Sequence, residues 1–308
     1  MNDKLKRSNS NNVNHNIDLL YEFNLSDKNS LTIFNTSTRD IANLNVLKCI
    51  KSGVIVLEKC VIPDDYYENN VHQTYESKVS TKTVTGQIVS VALKDDFRRY
   101  ESYKELIKGS EILDFGCENG DFLLLSKEVS KRSVGVEITK ANREYTNSIG
   151  IQCVNALSEL NDDKFDLITL NHVFEHLNDP INILVELQKY LKDDGTIIIE
   201  VPHARDILLE TFNLEPYKNF TLWSEHLILH TKKSLETFAT NSGLLVQNIK
   251  GVQRYPISNH FNWLLNGQPS GHELFPNLNN ANFHKHYENL LDSIDQTDTL
   301  VGYFSKKL

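Results

Sequence analysis

From about residue 93 to 253, apolar positions follow two alternating periods. Runs of nearly unbroken apolar character at 112–115, 133–136, 151–154, 165–170 and 195–203 predict strands buried on both faces. Between them, the 3.6-residue spacing of one-sided helices predicts helices over 93–108, 139–148, 181–192 and 232–241. A further helix opens at Gly120 and carries Phe122, Leu123 and Leu124. Two more strands, 244–249 and 299–304, bring the count to seven. Strand and helix in alternation predict an α/β fold, a Rossmann-like sheet with helices on both faces.

The flanks follow other patterns. Residues 1–16 are polar and asparagine-rich, and a disordered tail is expected there. Residues 17–92 hold short β-like runs, Leu31–Phe34, Val46–Ile50 and Val54–Leu57, the last two joined through Gly53, and predict a small N-terminal β cap. Tyr66, Tyr67 and Tyr75 are candidates for a lid. The core is placed at 93–253 and its last strand at 297–308, with a long stretch at 254–296 between them. Structureless loops of that length are rare, so a helical insertion capping an acceptor pocket is expected.

Composition narrows the classes. The chain has 308 residues, 40% hydrophobic and 24% charged, as in an ordinary globular protein. A net charge of −9 argues against a nucleic-acid partner. Four cysteines in so long a chain make no disulfide framework. No run is apolar enough to span a membrane, and the N-terminus does not resemble a signal peptide; a cytoplasmic protein is expected.

The chemistry gathers at the first core strand. Asp114 and Phe115 end it, Gly116 follows, and Gly120 opens the next helix. Glycines let a backbone come close to a ligand, and a helix start offers free N–H groups. The next strand ends in Glu137, placed as a ribose-binding carboxylate should be. Glu118 stands where a dinucleotide fold wants a glycine, and its charge would repel a pyrophosphate. The stretch instead resembles motif I of the class I S-adenosylmethionine-dependent methyltransferases. Phe165–Pro180 is similar to a second signature of that family, and the whole is similar to methyltransferases of bacterial surface-polysaccharide and sugar biosynthesis clusters.

The resemblance implies a seven-stranded sheet with its last strand antiparallel, and S-adenosyl-L-methionine as cofactor. It carries cofactor contacts onto Arg98, Asp114, Gly116, Cys117, Gly120, Glu137, Ile138, Asn155, Ala156, Asn171 and His172. An arginine before motif I would hold the methionine carboxylate, and Asn155 would read the adenine amine. For catalysis, histidine titrates near working pH; His176 is the first candidate base, with His203 and His226 in reserve. No metal is expected; the set that would hold one is His172, Glu175 and His176, which can share a helical face, and ubiquinone-pathway enzymes show a related motif. The acceptor expected is a hydroxyl, or an amine, of a small molecule or nucleotide-sugar. Phenolic O-methylation with a metal, and a catalytically silent binding protein, are the alternatives. A homodimer is compatible with either.

Overall fold

The computed structural model describes residues 13–63, 66, 82–84, 87–89 and 93–307. Its first strands are β1 (Leu31–Asn35), β2 (Val46–Cys49), β3 (Ile55–Leu57), β4 (Lys82–Val84) and β5 (Gln87–Val89). The core strands are β6 (Glu111–Phe115), β7 (Arg132–Val136), β8 (Gln152–Val154), β9 (Phe165–Asn171) and β10 (Leu191–Pro202). Then come β11 (Ile228–Leu229), β12 (Leu244–Val252) and β13 (Thr299–Lys306). Among the described residues, no helix is long and apolar enough to cross a membrane.

Seven strands form one sheet in the order β12-β13-β10-β9-β6-β7-β8. It is a mixed methyltransferase-type sheet, with the last strand antiparallel. β6 pairs in parallel with both β7 and β9, and β7 with β8. Ile112, Leu113, Val134 and Ile168 are fully shielded from solvent, which is why these strands read as unbroken apolar runs. Helices Leu93–Ile107, Lys140–Ser148 and Lys232–Asn241 fall where the periodicity puts them. The helix expected over 181–192 ends at Gln188, and β10 begins at Leu191 rather than at Gly195. Lys192 holds the polar start of β10, its ammonium 2.9 Å from Asp166 and 3.2 Å from Glu111. The stretch 254–296 is helical as expected, with helices Ile257–Asn266, Gly271–Leu274 and Ala281–Ser293.

The N-terminal β-containing cap is a four-stranded sheet. β1, β2 and β3 pair antiparallel, and β11, from beyond β10 in the chain, adds to β3. All three residues of β3 are buried, so β3 needs a neighbour at each edge, and Ile228 and Leu229 supply the second. The turn from β2 to β3 uses Gly53 at φ +74, a left-handed conformation that favours glycine.

The expected tail needs a correction at its inner end. Residues 1–12 lie outside the described residues, but Asn14 and Asn16 are buried. Asn14 Nδ2 donates to the carbonyls of Leu57 and Leu227, both at 2.9 Å. Its Oδ1 caps helix His15–Glu22 through the Asn16 N–H. Asparagine-rich sequence here serves backbone carbonyls rather than solvent. Of the lid candidates, Tyr66 is half-buried, and Tyr67 and Tyr75 lie outside the described residues.

The chain divides into two units. One holds the described residues up to Ile62 with His172–Leu184 and Ile199–Phe304; the other holds Pro63–Asn171, Val185–Ile198 and the stretch from Ser305. The expected 17–92 region is therefore split between them, and each unit carries its own group of candidate residues.

Candidate active site

In the unit containing β6 to β9, the turn after β6 is built from three left-handed residues. Gly116, Glu118 and Gly120 have φ of +78, +50 and +72. At Gly120 the conformation and the space both require glycine, since a Cβ would lie 2.7 Å from Thr146 Cγ2. Glu118 takes the left-handed conformation without being glycine, and both its backbone groups are held. Its N–H donates to Glu137 Oε2 at 3.0 Å, and its carbonyl accepts from the Thr146 hydroxyl at 3.2 Å. The missing middle glycine is thus compensated by two hydrogen bonds.

Glu137 directly follows β7, with its side chain nearly buried. Oε1 accepts from the Thr139 N–H at 2.6 Å while Oε2 takes the Glu118 N–H. Each carboxylate oxygen accepts twice, so one acceptor position per oxygen remains for a pair of vicinal hydroxyls. Ile138 and Asn155 are exposed and Ala156 is half-buried, so all three are open to a ligand.

Asp114 is buried, and its role differs from a direct ligand contact. Oδ1 accepts from the Thr169 hydroxyl at 2.6 Å and from Asn171 Nδ2 at 3.1 Å, fastening β6 to β9. Burial pushes its carboxyl up to about 7, against the pull of Thr169 and the charge of Arg99. With its amide nitrogen spent on Asp114, Asn171 presents a buried Oδ1 that has no donor. S-adenosylmethionine is rich in donors, with an ammonium, two ribose hydroxyls and an adenine amine. An acceptor without a donor in Asn171 and two spare acceptor positions on Glu137 fit it.

The two neighbouring arginines differ in burial. Arg98 is partly exposed and lies 3.3 Å from Asp95. Arg99 is buried, 2.8 Å from Asp96, and its charge acts on Asp114. A helix turns by about 100° per residue, so only one of two neighbours faces inward, and here it is Arg99. Cys117 and Cys153 are buried free thiols with sulfurs 3.6 Å apart. A Cβ on Gly135 would meet the Cys117 sulfur at 2.4 Å, so the pair fills the space this glycine leaves.

In the other unit, a buried carboxylate stands among imidazoles. β9 ends at Asn171, and the chain continues directly into His172, at φ +55. Left-handed backbone is costly for a side-chain-bearing residue and persists where surroundings fix it. His172 Nδ1 lies 3.1 Å from Glu175 Oε1, and its Nε2 lies 3.3 Å from Glu200 Oε1. Both carboxylates are fully buried. Burial and the charge of Arg254 lower the His172 pKa, but the two carboxylates outweigh them and the net shift is upward. Glu175, though buried, is held at about 2 by His172 and then by His176 and His226.

His172, Glu175 and His176 do not share a helical face. Only Phe174–His176 forms a short 3-10 helix, with His172 before it. The residues that converge are Glu175, His176 and His226. His176 Nε2 lies 4.0 Å from Glu175 Oε1, and the rings of His176 and His226 are edge to face at 5.1 Å. The Leu227 N–H donates to the Glu175 carbonyl at 2.9 Å and ties the two segments. Burial, then the neighbouring His176 charge, pulls His226 down to about 3, so its imidazole is neutral at neutral pH. His203 belongs elsewhere: its Nδ1 contacts the Thr297 carbonyl at 3.0 Å, its Nε2 lies 3.7 Å from Asp295, and burial pulls it down to about 4. So shielded an imidazole is out of an acceptor's reach. Glu200 escaped the sequence reading, although one carboxylate inside the apolar run Ile197–Val201 was a visible signal.

A family model described as a methyltransferase domain matches residues 89–249. The tRNA U34 carboxymethyltransferase of Helicobacter hepaticus is 24% identical over 205 residues, covering 54% of this chain and 62% of that protein. The ubiquinone biosynthesis O-methyltransferase of Aeromonas salmonicida is 25% identical over 183 residues, covering 50% and 70%. The chain thus spans less than two thirds of the first relative's length. A crystal structure of an S-adenosylmethionine-dependent methyltransferase from Archaeoglobus fulgidus aligns with a TM-score of 0.48 and 21% identity, over 70% of this chain and 93% of that one.

Proposed function

The chain belongs to the methyltransferase-domain family and is an S-adenosylmethionine-dependent methyltransferase; from that premise we propose that it methylates a hydroxyl of a sugar, nucleotide-linked, or of a related polar metabolite. The observation that carries this reading is the buried Glu175 carboxylate with His176 and His226 beside it, in the loop that leaves β9. The bound cofactor supplies a methyl group on a sulfonium, already activated for displacement. The protein then has two tasks, to align the acceptor oxygen and to receive its proton.

His176 is suited to the second task. Glu175, fully buried with its carboxyl held down to about 2, sets an ionised carboxylate 4.0 Å from His176 Nε2. His176 would receive the proton of the acceptor hydroxyl as that oxygen takes the methyl group. His172, pinned between two carboxylates, fixes the position of Glu175 and touches no acceptor in this scheme. A polar acceptor suits the polar interior of the same unit. There Tyr217 donates to Asp206 at 2.6 Å, and Gln253 Nε2 lies 2.8 Å from Asp298 and 3.2 Å from His260. The net charge of −9 disfavours a tRNA acceptor such as the Helicobacter relative's name implies.

A phenolic acceptor is the second reading. Apolar side chains of Val46, Leu57, Leu222, Trp223 and Leu229 line a small recess beside His226, a lining whose chemistry matches an apolar ring. The test of the scheme is His176→Ala, which should lower turnover roughly 10²-fold or more with cofactor affinity nearly unchanged. Turnover retained in that variant would remove His176 as the base.

A further inference from the structure

Two buried polar atoms near His176 have no hydrogen-bond partner. Glu175 Oε1 is engaged by His172, but its Oε2 has no hydrogen-bond partner. His226 Nδ1 is likewise buried with none. A buried polar atom left without a hydrogen-bond partner is costly, so it persists only where something else compensates. One donor atom each from Glu175, His176 and His226 lies within 4.8 Å of the other two.

We propose that Glu175, His176 and His226 form a binding site for one divalent cation of the zinc type. Two imidazoles and one carboxylate are a donor set that zinc accepts, with the remaining position left open. Ligands about 2.0–2.2 Å from a shared ion stand at most about 4.4 Å apart. The three donor atoms already lie within 4.8 Å of one another, so drawing them onto an ion takes rotation of side chains, not rearrangement of backbone. The backbone is already fixed by the Leu227 N–H on the Glu175 carbonyl. His172 is excluded from the set because both its ring nitrogens face carboxylates, at 3.1 and 3.3 Å. It serves instead as the outer partner that orients Glu175, the usual arrangement behind a metal-binding carboxylate. Glu200, on the far side of His172, holds that ring in place through its Nε2 at 3.3 Å.

His176 and His226 are only partly buried, so the open position can take water or an acceptor hydroxyl. The catalytic consequence rests on the hydroxyl-acceptor reading. A hydroxyl bound to the ion loses its proton to solvent more readily, and His176 then acts as a ligand; in the ion-free chain His176 takes the proton itself. Binding of the ion does not depend on that reading, so the two can fail separately.

The test is a calorimetric titration of the chelator-stripped full chain with zinc chloride alone, repeated with cobalt(II) and its visible spectrum. One ion per chain is expected, with a cobalt spectrum of four- or five-coordination. Glu175→Gln and His226→Ala should each weaken binding by at least about 10²-fold, more than the loss of an outer partner causes. His172→Gln should keep one ion per chain. Circular dichroism and metal-free melting confirm folding, and His226→Gln replaces His226→Ala if the latter does not fold. The site is overturned if the wild-type chain shows no saturable zinc binding, or if the folded Glu175 and His226 variants bind as wild type. It is also overturned if binding is lost in His172→Gln but kept in the His226 variant. None of these results depends on methyl transfer, so the proposed function stands or falls by its own assay.

Discussion

Glu137→Ala is the perturbation whose size follows most directly from the structure. Glu137 Oε1 and Oε2 each take one backbone N–H, at 2.6 Å from Thr139 and 3.0 Å from Glu118. Each oxygen keeps one acceptor position, and the ribose of S-adenosylmethionine offers two hydroxyls. Hydrogen bonds to a charged group contribute about 1.5–3 kcal/mol each, so two amount to about 3–6 kcal/mol before water refills the truncated site. Water recovers part of this, and about 2 kcal/mol is a conservative remainder, equal to an affinity loss of about 30-fold. Glu137→Gln should not restore affinity, because its amide nitrogen would set a donor against the Thr139 or Glu118 N–H. The assay is calorimetric titration with S-adenosylhomocysteine, with a melting curve to show that each variant is folded. Affinity within about threefold of wild type in a folded Glu137→Ala chain would refute the ribose assignment.

Two further outcomes follow from buried polar groups. Asn14→Ala leaves the Leu57 and Leu227 carbonyls and the start of the first helix without their partner, and should cost about 1–3 kcal/mol in a denaturant titration; an unchanged midpoint would contradict the contact. Asp114 has a folded pKa raised from 3.8 to about 7, so its contribution to stability is fully present below the unfolded value and is lost as pH rises through about 7. Asp114→Asn cannot ionise, so its stability relative to wild type should move in the variant's favour between pH 5 and pH 8, by at most about 3 kcal/mol. Drift the other way would show that Asp114 is ionised in the fold.

What was legible in the sequence was local. The glycine turn, Glu137 and the seven strands could be read because a left-handed φ and an unbroken apolar run leave marks within a few residues. Arg98 and Arg99 are adjacent in a polar helix, and nothing nearby in sequence says which faces inward; the packing that gives Asp114 its charged neighbour decides it. The early start of β10 was hidden because Asp193, Asp194 and Gly195 resemble a helix end, and the strand is held there by Lys192 reaching Asp166 and Glu111. The meeting of His226 with Glu175 and His176 is a tertiary event between segments about fifty residues apart, which no periodicity records. His203 misled for the converse reason. A histidine closing a core strand looks available in sequence, and only the fold places Thr297 and Asp295 against it.

Product identity tests the central claim most directly. The chain is incubated with S-adenosylmethionine bearing an isotopically labelled methyl group and a panel of nucleotide-linked sugars, free sugars and simple phenols. Magnetic resonance then locates the label. The account predicts an O-methyl group on a sugar hydroxyl, formed one for one with S-adenosylhomocysteine, and its loss in His176→Ala. Label on nitrogen or carbon, label on phenols alone, or no transfer by a chain that binds S-adenosylhomocysteine would contradict it.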